Sequence, residues 1–133
     1  MTPVLRCRDG VVLTGLAPGG LRIIAALDIV CQRLGKDLWI TSAVRENSAA
    51  HARGTAIDVS VVGDYGKKED DLTPTEIVAL VQNLRVNLGS RFTVLFEMPT
   101  MPKDPSLRLV VTINPKATAP HVHVQVRKGT EFP

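Results

Sequence analysis

The chain has only three histidines among 133 residues, and they are unevenly placed. His121 and His123 are separated by a single valine, while His51 stands seventy residues earlier, seven before Asp58 and six after Arg45. Imidazole nitrogen with carboxylate oxygen suits zinc, and three protein ligands plus water is the catalytic pattern. Two neutral imidazoles and one carboxylate around a divalent zinc leave one net positive charge, and such a metal lowers the pKa of its water to roughly 7. The placement points to a metal site assembled from two distant segments.

His121-Val122-His123-Val124-Gln125-Val126 alternates cleanly. On a strand, His121, His123 and Gln125 share one face and the valines share the other. The valine face belongs to a core, so the histidine face looks into a cleft. Same-face neighbours are about 6.5 to 7 Å apart, so both imidazoles can reach one site. His51 and Asp58 are an odd number apart and would oppose each other on a straight strand. Gly54 lets the chain turn between them, leaving His51 on a loop and Asp58 on a strand.

These residues need elements to position them. Leu21, Ile24, Leu27, Val30, Cys31 and Leu34 predict an amphipathic helix over 21–34, with Ile23 and Ile29 widening its apolar face. Pro18-Gly19-Gly20 precedes it as a turn, and Gly35 caps its end. Val11 to Leu13 is a short strand candidate, and Leu38 to Thr41 a firmer one. Residues 46–50 look like loop, and 55–62 like a strand with Ile57, Val59 and Val61 on the face opposite Asp58. Residues 63–72 form a charged surface connection. Thr73-Pro74-Thr75-Glu76 starts a second helix with a capping box, and Gly89 ends it. Strands follow at 92–96, 107–113 and 121–126, with a proline-rich stretch over 98–105. The order predicts an α+β domain spanning 1–133, with two helices on a mainly antiparallel sheet.

Composition narrows the function. No apolar run approaches the roughly 20 residues that span a bilayer, and no signal-peptide core opens the chain. The net charge of +3 has both signs interspersed, and only 4% of residues are aromatic. There is little on which to stack bases, which argues against nucleic acid, while an anionic cell wall is a compatible partner. Cys7 and Cys31 form no metal-binding pair; Cys31 fits a helical core, and a disulfide between them is left open.

Ser42-Ala43-Val44-Arg45, followed by Ser48 to His51 and then Gly54, Ala56 and Asp58, resembles the S-x-x-R and S-x-x-H-x-x-G-x-A-x-D signature of the D-Ala-D-Ala zinc metallopeptidases, which have the hedgehog/DD-peptidase fold. The late His121-Val122-His123 resembles the His-x-His of their peptidoglycan-cutting relatives. Two blocks covering about twenty-five residues carry this resemblance. It implies zinc held by His51, Asp58 and His123. It also implies His121 as an unligated base or transition-state donor, Arg45 facing the substrate, and Ser48 supporting the site. Gln125 shares the histidine face and is a candidate to orient a ligand.

Many carboxypeptidase members carry a late Glu-x-x-His with glutamate as base, and residues 118–123 here hold no carboxylate. Glu97, at the end of a predicted strand, is the one substitute in view, although a surface role is the plainer reading. The choice between D-Ala-D-Ala carboxypeptidase and murein endopeptidase stays open. The substrate implied is a peptidoglycan stem peptide. The origin implied is a phage or prophage product, made in the host cytoplasm and acting at the wall or carried in the virion. The rival reading is a non-catalytic, zinc-containing binding or structural phage module of the same fold, its metal closed by a fourth ligand, His121.

Overall fold

A computed structural model describes residues 2–62, 69 and 71–130. Its elements are β1 (Leu5–Cys7), α1 (Pro18–Leu34), β2 (Leu38–Ser42), α2 (Ala49–Ala52), β3 (Ala56–Ser60), α3 (Pro74–Leu88), β4 (Phe92–Met98), α4 (Pro105–Arg108), β5 (Val111–Ile113) and β6 (His121–Val126). The strands form one six-stranded sheet in the order β1-β2-β3-β6-β4-β5. The three central pairings are antiparallel, whereas β1–β2 and β4–β5 are parallel. The architecture is therefore α+β with a mixed sheet.

The long helices α1 and α3 pack against each other and onto one sheet face. Ile57 and Val59 of β3, Val122 and Val124 of β6, and Val94 and Phe96 of β4 are buried beneath them. Full burial of each such side chain contributes about 1.5–3 kcal/mol. Because side chains alternate, this apolar layer forces Asp58, His123 and Leu95 onto the opposite face. Each helix also ends as its sequence dictates. The Thr73 hydroxyl accepts from the Glu76 N–H at 3.2 Å, and the Glu76 carboxylate accepts from the Thr73 N–H at 2.9 Å. Gly35 terminates α1 in the left-handed region at φ 68°.

Several elements differ from the sequence expectation. The N-terminal strand is Leu5–Cys7, and Val11 to Leu13 is irregular. The Val44 N–H donates to the Val12 carbonyl, one isolated bond rather than a ladder. Helix α1 starts at Pro18, whose ring fits the first turn, so the glycines after it are helical. Leu21 and Ile29 lie outside its buried stripe and are exposed. The expected strand over 107–113 is divided, because the Asp104 carboxylate caps a short helix through the Ser106 and Leu107 N–H groups. Only Val111–Ile113 remains extended. Residues 63–68 and 70 of the charged connection lie outside the described residues. Cys7 is exposed, Cys31 is buried, and both are free thiols. No helix among the described residues is long and apolar enough to cross a membrane.

Candidate metal centre

The site grows from the turn between β2 and β3. Residues 49–52 form the short helix α2, not a loop, and it carries His51 into the interior. The Gly54 N–H closes the turn on the His51 carbonyl at 3.0 Å, and the Thr55 N–H bonds the Ala50 carbonyl. Gly54 sits at φ +71°, a conformation that favours glycine. The chain then enters β3, where Asp58 lies opposite Ser42 on one side and His123 on the other. The β2–β3 register shifts between Ile40 and Ser42, and just beyond it the Ala43 carbonyl lies against His51.

His51 is fully buried. Its Nδ1 lies 2.7 Å from the Ala43 carbonyl oxygen. A carbonyl only accepts, so Nδ1 carries the proton and Nε2 of the neutral ring presents a lone pair. That Nε2 is buried without a hydrogen-bond partner. It faces Asp58 Oδ2 at 3.3 Å, within ion-pair range, but the atoms are not aligned as a hydrogen bond. A ring lone pair and a carboxylate oxygen repel each other unless a cation lies between them. His123 completes the group: its Nδ1 is 2.7 Å from Asp58 Oδ1, and its ring stands edge-on to His51 at 5.4 Å. One ligand atom from each of His51, Asp58 and His123 lies within 4.8 Å of the others. The three can share one metal ion, and the orphaned nitrogen shows that the donor set fits it.

Electrostatics agree. Burial alone would raise the Asp58 pKa, but the hydrogen bond and charge of His123 hold it well below the usual carboxylate range. Burial disfavours charge on His123, yet hydrogen bonds to Asp58 and Gln125 and the charges of Asp58 and Glu97 raise its pKa overall. A proton and a metal ion thus compete for the same ring. Metal binding requires the unprotonated form of His123.

The histidine face opens into a cleft of about 680 Å³. Arg45 lines it, half-exposed, with Nη2 3.7 Å from Asp58 Oδ2. Ser48 lines it at the start of α2 and makes no capping bond there. Gln125 Oε1 lies 2.7 Å from His123 Nε2. It orients the ring from an interior strand, not from a sheet edge. His121 stays outside the three-residue cluster. Its Nε2 meets Glu97 Oε1 at 2.9 Å, and its Nδ1 lies 3.1 Å from the Ala119 carbonyl. Glu97 is thus a cleft residue, directly opposite His121 in the β4–β6 register. The alternation Thr93, Leu95, Glu97 against Phe92, Val94, Phe96 was the signal that assigns it to this face. Asn114, whose Nδ2 donates to Glu97 Oε2 at 3.3 Å, had no comparable signal, nor had the cleft cations Arg8 and Lys116. Arg53, between the ligand positions, is exposed at the end of α2.

Comparison with family models, curated proteins and solved structures yields no significant match to this chain.

Proposed function

We propose that the chain is a zinc-dependent peptidase acting on peptide amides of peptidoglycan, as a D-Ala-D-Ala carboxypeptidase or murein endopeptidase. The observation that carries this reading is the buried, orphaned Nε2 of His51. It converges with Asp58 and His123 in the same cleft as an unligated His121 paired to Glu97. The resemblance of the two sequence blocks to the zinc metallopeptidases supplies the substrate class and places the activity at a cell wall, in a phage or prophage setting.

His51, Asp58 and His123 would hold the zinc, which supplies a Lewis acid for the scissile carbonyl and for the attacking water. Ala43 and Gln125 hold the two imidazoles in place through hydrogen bonds. His121 would release the Ala119 carbonyl, take the proton from the attacking water at Nδ1 and deliver it to the leaving amine, while Nε2–H stays on Glu97. Glu97 steadies the imidazolium formed between those steps. Arg45 offers a guanidinium to the oxyanion or to a substrate carboxylate. Three clustered ligands, with His121 turned to Glu97, would hold a metal without a fourth protein group, which favours catalysis over a closed structural site.

The test is a digest of purified peptidoglycan and soluble muropeptides, with and without a chelator, read by mass spectrometry. Chelator-sensitive loss of a terminal alanine marks a carboxypeptidase, and chelator-sensitive splitting of cross-linked dimers marks an endopeptidase. No cleavage by zinc-loaded protein across several wall chemistries overturns the reading in favour of a binding module.

A further inference from the structure

A second polar pocket, of about 450 Å³, adjoins the metal cleft. Arg85, Arg127, Ser90 and Thr93 supply its polar side chains, and no carboxylate among the described residues lines it. The two guanidiniums come from separate elements and are positioned differently. Strand β5 pairs only with Phe96 to Met98 of β4, so the Val94 carbonyl has no strand partner on that edge. The Arg85 Nη2 group donates to it at 2.8 Å, which pins Arg85 beside β4. Arg127 is placed by its backbone N–H, which donates to the Arg91 carbonyl at 2.8 Å. Its exposed side chain makes no ion pair among the described residues.

Two arginine forks and two hydroxyls without a carboxylate match the donor pattern of a carboxylate or phosphate. The pocket shares a wall residue with the metal cleft. Leu95 lines both and lies opposite His123, while Thr93 lies opposite Gln125. From His123 to Arg127 the chain advances four residues, about 13 Å along β6 and its continuation. An extended peptide covers that distance in about four residues.

We propose that this pocket is an oxyanion subsite, which takes a side-chain carboxylate of an extended acidic peptide lying along the sheet from the metal cluster. That the ligand is a peptide rests on the function proposed above; the oxyanion chemistry rests on the pocket alone. The subsite would select substrates with a carboxylate about four residues from the reacting amide.

The test is an amide NMR titration of the full chain with inorganic phosphate and with two synthetic peptides. Both peptides are alanine hexamers with an amidated C-terminus; one carries a single glutamate and the other a glutamine in its place. Phosphate and the glutamate peptide should shift the Ser90, Thr93 and Arg127 amides, and the glutamine peptide should bind about tenfold or more weakly. Arg127→Ala should weaken both anionic probes about tenfold while leaving the rest of the spectrum intact, and about 0.5 M NaCl should weaken them in wild type. Equal affinity for the two peptides, or unchanged binding in Arg127→Ala, overturns the proposal. Phosphate binding without peptide binding overturns the peptide assignment. The same titration on His123→Ala separates this proposal from the peptidase reading, because the subsite should survive there without the metal cluster.

Discussion

Glu97 and His121 face each other across the β4–β6 ladder, with Glu97 Oε1 2.9 Å from His121 Nε2. Asn114 donates to the other carboxylate oxygen, and the Ala119 carbonyl receives the other ring nitrogen, so both partners are held from two sides. A carboxylate behind an imidazole fixes its orientation and stabilises its cationic form. His121→Ala should therefore keep metal and lower turnover by roughly 10²–10⁴-fold. Glu97→Gln preserves shape but removes the charge, and should lower turnover by about ten- to a hundredfold. Rates on muropeptides, measured beside metal content, check both. Metal loss from His121→Ala would make it a fourth ligand and close the site.

The cluster itself predicts a different signature. Asp58→Ala and His123→Ala each delete a ligand and should each yield protein with little bound zinc, measured by elemental analysis after equilibrium dialysis. His51→Ala should do the same, because its Nε2 has no hydrogen-bond partner to satisfy it otherwise. Wild-type metal content in any one of the three removes that residue from the ligand set.

Stability should depend on pH in a way that metal reverses. The Asp58 pKa is lowered, so its contribution is fully present above its unfolded value of about 3.9 and is lost as pH falls through the lower folded value. The His123 pKa is raised, so its contribution is fully present below about 6.5 and is lost as pH rises through the higher folded value. Metal-free protein should melt higher near pH 5.5 than near pH 8.5, since the window lies between those unfolded values. Zinc competes with the His123 proton, so its stabilising effect should grow as pH rises. Thermal scans at both pH values, with and without zinc, check this. A metal-free protein that is more stable at the alkaline value contradicts the Asp58–His123 pairing.

The legible part of this molecule was what periodicity and capping encode. The valines of β6 and Ile57 and Val59 of β3 fixed which face is core, and so which face bears His123 and Asp58. Thr73 and Glu76 announced the start of α3 through side chains that bond locally. The illegible part depended on long-range register. Nothing near Glu97 in sequence indicates that a strand 24 residues later places His121 against it. Nothing near Ala43 shows that its carbonyl, just past a register shift in β2, meets His51. Parallel pairing of β1 and β5 was equally hidden, because short edge strands carry too few residues for a pattern.

Gly54 links the legible turn to the hidden packing. A Cβ at Gly54 would meet backbone atoms of Gly15, Leu16 and Ala17, and its carbonyl accepts the Ala17 N–H at 3.0 Å. The turn that follows α2 is thereby locked to the start of α1, and His51 is held from below. Gly10 has a similar left-handed φ of +87° but open space around it. Gly10→Ala should cost only the backbone strain, about 1–2 kcal/mol. Gly54→Ala should cost that strain and also displace α2, for a total above roughly 3 kcal/mol and a fall in melting temperature of about 10 °C. Its zinc affinity should fall while that of Gly10→Ala stays at the wild-type value. Calorimetric zinc titrations of both variants decide the point. Matched affinities would mean that the close approach at Gly54 stabilises the fold without positioning His51.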